Sequence, residues 1–316
     1  MTIKDVDLDG NSFPIREFQL DWMVPNPSIC MIAKRGSGKS WIVRDILNHF
    51  HDIPGGVIIS PTDKMSSFYG GFFPELYIHY EYSTDIIQNI LTRQGKMIDK
   101  KREKKQFGKK VDCRAFLVMD DCLSSKGTWM KDEVITEMFF NGRHFEVMYI
   151  LTMQFPLGIT PELRTNFDYI FLLGEDFVSN QKRLYDHYAG MFPSFEAFKK
   201  VFLEVTNDFG CLVIVNRGSR RDLLDKVFWY KSQDIKILTL GSKQFNDFHK
   251  NNFNKDWRNK SKRFDLGDFI NKRGKSASIP ITKVKSHLIS EKYSEKDKYK
   301  NFSERYQDYD KDKRKY

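Results

Sequence analysis

An α/β domain with a mainly parallel sheet is the fold this sequence predicts, and two observations carry it. Short continuous apolar runs, which suit strands buried on both faces, alternate along the chain with longer helical patterns. These runs and patterns fall within residues 1–240, which hold 31 Lys/Arg against 31 Asp/Glu and so carry no net charge. The strands are expected at Ser28–Ala33, Val57–Ser60, Ala115–Met119, Val147–Thr152, Tyr169–Leu173 and Cys211–Val215. Helices are expected near Ser40–Phe50, Thr84–Lys105, Trp129–Phe140, Ser179–Tyr188 and Ser194–Val205, so that helices flank the sheet. In such sheets ligands bind beyond the carboxyl ends of the strands, which is where chemistry should be sought.

Composition narrows the function classes. With 316 residues and 40% apolar content the chain can bury a core, which excludes collagen, a disulfide miniprotein and a wholly disordered chain. No apolar run approaches the roughly 18 residues that span a bilayer, so no transmembrane segment is expected. The polar start Met1-Thr2-Ile3-Lys4-Asp5 lacks a secretion signal, and an intracellular protein is expected. Cys30, Cys113, Cys122 and Cys211 are scattered without metal-type pairing and read as free thiols. The net charge of +10 sits wholly in residues 241–316, which hold 21 basic and 11 acidic side chains. Apolar periodicity fades there after about Ile270 and gives way to Lys/Asp/Tyr runs. The expected organisation is therefore a domain over 12–240 followed by a basic, partly disordered tail over 241–316.

After the first expected strand comes Ala33-Lys34-Arg35-Gly36-Ser37-Gly38-Lys39-Ser40, and a helical pattern opens at Trp41. This is the phosphate-binding loop with Ala33 where the motif has its first Gly. Wrapping a phosphate chain with backbone N–H groups at a helix N-terminus needs small residues and permissive dihedrals. Residues 33–41 are the candidate nucleotide-binding set, with Lys39 reaching the β- and γ-phosphates of ATP and the Ser40 hydroxyl binding Mg²⁺. The competing reading is a polar loop between strand and helix. A second apolar strand ends in Asp120-Asp121. Asp120 is the candidate metal residue opposite Ser40, and Asp121 the candidate catalytic base, its alternative being a helix N-cap. A third, Ile150-Leu151-Thr152-Met153-Gln154, ends in an amide. In P-loop NTPases of the RecA-like (ASCE) type this strand lies between the two motif strands, and Gln154 would sense the γ-phosphate; otherwise it is a surface glutamine.

These elements, with Asn141-Gly142-Arg143-His144 before the third strand and Pro161-Glu162-Leu163-Arg164-Thr165-Asn166-Phe167-Asp168 after it, resemble the poxvirus-type genome-packaging ATPases of large DNA viruses, in the FtsK/HerA superfamily. The resemblance spans about residues 25–175. It implies a homo-oligomeric ring that pumps double-stranded DNA without sequence specificity, together with capsid or inner-membrane packaging components. It further implies a place in a cytoplasmic virus factory and the virion, and an arginine completing the neighbouring subunit's site. Arg164 and Arg143 are the candidates for that arginine; either could instead pair with Asp168 or Glu146.

The segment from Asp99 to Lys110 carries seven basic residues that could contact phosphates or simply solvate a helix end. The tail offers a second contact for DNA or capsid, or serves solubility alone. Two rival functions stay open: a P-loop ATPase of DNA repair or segregation, and a nucleotide-gated assembly protein without strong hydrolysis.

Overall fold

The computed structural model describes residues 2–8, 10–122, 132–218, 222–235, 238–257 and 263–276. Strands β1 (Ile3–Leu8) and β2 (Asn11–Arg16) pair as an antiparallel hairpin. Strands β3 (Ser28–Ile32), β4 (Gly56–Ile59), β5 (Ile78–His79), β6 (Ala115–Asp120), β7 (Val147–Met153), β8 (Tyr169–Leu173), β9 (Cys211–Val215) and β10 (Val227–Tyr230) follow. Among the described residues they build an eight-stranded sheet in the order β10-β9-β8-β3-β7-β6-β4-β5. The pairings from β8 through β5 are all parallel, and β9 and β10 join antiparallel. The expected α/β fold with a mainly parallel sheet is what the chain adopts.

Helices are α1 (Lys39–His49), α2 (Asp63–Ser66), α3 (Thr84–Gln106), α4 (Glu133–Asn141), α5 (Pro161–Arg164), α6 (Val178–Tyr188), α7 (Phe195–Val205), α8 (Lys243–Asn252) and α9 (Leu266–Ser276). Strand alternation divides the core between the two faces of the sheet. In β3, Ile29 and Met31 face Ile42, Val43 and Ile46 of α1, while Cys30 and Ile32 share the opposite core with Ile87 of α3, Met138 of α4, Leu184 of α6 and Phe198 of α7. Every residue of β3, β6 and β7 is buried, as their unbroken apolar runs require. All four cysteines are free and buried, and burial pushes the Cys113 thiol up to about 11.

Of the expected helix from Trp129, residues 129–131 lie outside the described residues. Helix α4 opens with Asp132 as its N-cap, accepting from the Val134 N–H at 3.0 Å. Burial alone would raise the Asp132 carboxyl, but hydrogen bonds from Thr84, Tyr82 and the first-turn N–H groups outweigh it and hold it below its usual range. A carboxyl lowered on folding lends stability that is present above its unfolded pKa and lost as pH falls through the folded one. Asp132→Ala is expected to cost about 1 kcal/mol at pH 7 by urea denaturation, with the difference from wild type vanishing as pH falls through the lowered pKa of Asp132.

The chain divides into two compact units, Met1–Phe264 and Asp265–Tyr316. The first is wider than the 12–240 expected. The β1–β2 hairpin belongs to it, as does the segment through Phe264, whereas 277–316 of the expected tail lies outside the described residues. What ties residues 241–257 and 263–264 down is aromatic packing. Phe245 of α8 stacks on Tyr77 at 3.9 Å and an interplanar angle of 18°, and meets Phe73 at 5.8 Å. Its approach needs two glycines, since a Cβ on Gly55 or Gly241 would come within 2.8 or 2.7 Å of the ring. Arg263 donates to the Ile78 carbonyl of edge strand β5, with its guanidinium over Tyr80 at 4.0 Å and Trp257 at 4.3 Å, so this segment covers an edge that would otherwise offer unpaired backbone groups. Phe245→Ala should lower stability by about 2 kcal/mol, measured as a shift of the urea midpoint, because Phe245 is only partly buried and a fully buried Phe loses more.

Candidate functional site

The loop after β3 takes the shape a phosphate cradle needs. Gly36 and Gly38 sit at φ +78° and +90°, the left-handed region where glycine alone is unstrained. Ala33 has no such demand: its φ is not positive, its side chain is buried, and its N–H donates to Met153 O at 3.0 Å. An alanine therefore fits where the motif usually has glycine. Ser37 Oγ closes the loop onto Lys34 O at 2.8 Å. Gly38 caps α1 without a side-chain hydrogen bond, so no side-chain oxygen competes with an anion for the N–H groups of the first turn.

Lys39 opens α1, and its ammonium reaches across to the tip of β6. It contacts Asp121 Oδ2 directly and Asp120 Oδ1 at 3.7 Å, with its side chain 10% exposed. The sheet order makes this possible: β7 separates β3 from β6, so the loop and the paired acids flank the end of β7. At that end, Thr152 donates to Asp120 Oδ1 at 2.5 Å and accepts from the Asp121 N–H at 3.1 Å. Gln154 Nε2 donates to Asp121 Oδ2 at 3.0 Å. Asp120 is almost fully buried, with Ser60 Oγ at 3.5 Å from its Oδ2. Asp121 stands at φ +49°, and its Oδ1 is buried without a hydrogen-bond partner among the described residues. Lys34, Arg35, Ser40, Trp41, Asp121 and Gln154 line one cleft of about 630 Å³ with the loop glycines. Lys34 pairs with Asp176 beyond β8, and Arg35 is exposed.

The two arginines are not brought to this cleft. Arg143 lies in the turn before β7, at the opposite end of the strands from the phosphate loop, and lines a small hollow with Asn26, Ser28 and Asp168. Arg164 closes α5, donates to Ile159 O at 3.1 Å, meets His187 Nδ1 at 3.0 Å and lies over the Tyr188 ring. Neither pairs with the acids that were the alternative. Asp168 instead takes Arg217 at 3.3 Å, along with Ser28, and Glu146 takes Lys101 at 2.5 Å.

Several residues of the site carry no motif. Thr152 bridges both acids, and its one sequence signal is a hydroxyl in an otherwise apolar buried strand. Tyr69 is buried; burial first, then the negative charge of Asp120, raises its hydroxyl pKa well above the usual value. Asp63 accepts from the N–H groups of Tyr69 and Gly70 and so shapes the turn that carries Phe68 to the cleft. Phe209, Lys231 and Ser232 form a further wall from the far side of the sheet, which no local pattern announces.

A glycine-shaped anion loop at a helix N-terminus, a lysine joined to two acids on the second strand over, and an amide on the strand between define a P-loop NTPase with a strand inserted between its motif strands. No family model matches the sequence. Protein L437 of Acanthamoeba polyphaga mimivirus is 53% identical over 250 residues, covering 79% of this chain and 88% of that protein. Protein 088R of Invertebrate iridescent virus 3 is 33% identical over 236 residues, 71% of this chain and 87% of the relative. Protein 075L of Invertebrate iridescent virus 6 is 32% identical over 257 residues, 79% and 94% of the two chains. The chain belongs to this family of large DNA virus proteins. Among solved structures, the DNA-packaging ATPase B204 from Sulfolobus Turreted Icosahedral Virus aligns at 17% identity and a TM-score of 0.47, over 67% of this chain and 100% of its own. EssC (ATPases 2 and 3) from Geobacillus thermodenitrificans aligns at 10% identity and a TM-score of 0.43, over 79% and 47%. Among the described residues no helix is long and apolar enough to cross a membrane.

Proposed function

We propose that this protein is an ATP hydrolase that drives double-stranded DNA into a virion as a homo-oligomeric ring. The observation that carries the hydrolytic part is the Lys39 ammonium at the loop, joined to Asp121 and Asp120 across the end of β7. Within the chain these charges face one another. A bound triphosphate offers Lys39 a denser anion and releases both carboxylates.

The donor set fits Mg²⁺: a hydroxyl at Ser40 and a buried carboxylate at Asp120 are hard oxygen ligands, few enough to leave room for water and phosphate oxygens. Mg²⁺ held there would neutralise charge on the β- and γ-phosphates. Asp121, with one oxygen free of partners among the described residues, accepts the proton of the attacking water, and Gln154, already hydrogen-bonded to that carboxylate, orients the water. The DNA and ring parts rest on the resemblance in motif order and on membership of a large DNA virus family. An arginine from a neighbouring subunit, Arg164 or Arg143, would stabilise charge on the transferred phosphoryl group and couple turnover to assembly. The basic run at the end of α3 is the proposed phosphate-backbone contact, with a capsid or inner-membrane component as docking partner.

The test is hydrolysis by the full chain with and without Mg²⁺ and duplex DNA. Mg²⁺-dependent turnover stimulated by DNA of any sequence is expected. Turnover indifferent to DNA would remove the DNA-driving part of the reading, and absence of turnover in assembled rings would point to the assembly protein.

A further inference from the structure

The γ-phosphate machinery occupies only one side of the cleft. Gln154 and Asp121 stand on β7 and β6, to one side of β3 in the sheet, and a nucleotide laid across the loop with its γ-phosphate there must send its base the other way, toward β8, β9 and β10. On that side stands Phe209. Strand β9 runs antiparallel to β8, so the turn leading into it lies at the same end of the strands as the phosphate loop; β10 reverses again, so Lys231 and Ser232, just after it, lie there too. All three line the cleft.

Phe209 is held there against its local preferences. The residue is 60% exposed, and both it and Asp208 have positive φ, +61° and +52°, a conformation that costs non-glycine residues about 1 kcal/mol or more each. The surroundings enforce it. Gly210, next in the chain, has no room for a Cβ, which would come within 2.2 Å of Val205 O. Asp208 is tied to Lys231 by an ion pair. The phenyl group thereby stands over the loop, where a Cβ on Gly38 would touch Phe209 Cβ at 3.4 Å. Trp41 and Phe68, in edge contact at 5.9 Å, form the cleft's other aromatic wall, toward β4.

We infer that Phe209 is the platform on which the base of the bound triphosphate stacks. The substrates are nucleoside triphosphates gripped by the π-face of the base, so that adenine and guanine serve alike. This rests on the nucleotide-site reading above.

The experiment compares ATP, GTP and inorganic tripolyphosphate binding to wild type, Phe209→Ala and Phe209→Tyr in the full chain. Losing one aromatic stack should weaken ATP and GTP about tenfold each, leave tripolyphosphate unchanged, and be restored by Phe209→Tyr. Equal weakening of tripolyphosphate would overturn the inference, since Phe209 would then only shape the loop. So would unchanged ATP binding, or a loss confined to ATP. A wild type that binds neither ATP nor tripolyphosphate would instead overturn the nucleotide site itself.

Discussion

Lys39→Ala should lower ATP hydrolysis at least about 10³-fold, the scale seen when a charge that stabilises the transferred phosphoryl group is removed. The structure adds a second consequence. Lys39 is the cation that faces both Asp120 and Asp121, and Asp120 is almost fully buried. Deleting one partner of a buried ionic cluster costs more than the cluster contributes, because the charge left behind is desolvated and unpaired. The ligand-free variant should therefore be less stable by about 3 kcal/mol, and Mg²⁺, which offers those carboxylates another cation, should recover part of the loss. Thermal melts with and without Mg²⁺ read this directly. A variant that lost activity but melted like wild type in both conditions would show that the pairing is not maintained in solution.

The three strands that carry the proposed phosphate site are legible because their sequence signals are local. A buried apolar run followed by a loop, an acid pair or an amide can be read without knowing what the strand pairs with. Even the insertion of β7 between β3 and β6 was legible, since the motif order implies it. What was hidden is what depends on pairing at a distance. The hairpin Ile3–Arg16 mixes polar and apolar residues without regular alternation, and Val6 and Ile15 are its buried apolar side chains, so its periodicity is thin. Helix α8 reads as polar and so as part of a tail. Its place on the body depends on Phe245 finding Tyr77 and Phe73, 168 and 172 positions earlier, through gaps left by Gly55 and Gly241. Phe209 looks like any loop aromatic until the antiparallel turn of β9 returns it to the phosphate-loop end of the strands.

Asp121→Asn should lower turnover about 10²–10⁴-fold while sparing nucleotide binding, and the backbone explains why this substitution isolates the chemistry. At φ +49° a side chain with a short polar group is tolerated, and asparagine adopts that region as readily as aspartate. The amide of the variant would still offer an oxygen to Gln154 and Lys39, and its backbone N–H would stay on Thr152, so the geometry persists and only the basicity is lost. A general base contributes about 10²–10⁴-fold, and the loss should fall in kcat with KM for ATP little changed. Asp121→Glu would place a longer side chain on a left-handed residue at a cost of about 1 kcal/mol or more, and push its carboxylate past the point where Gln154 meets it. Asp121→Glu should accordingly retain more turnover than Asp121→Asn yet less than wild type. If the two variants were equally active, proton acceptance would lie with another group and Asp121 would act only as the ionic partner of Lys39.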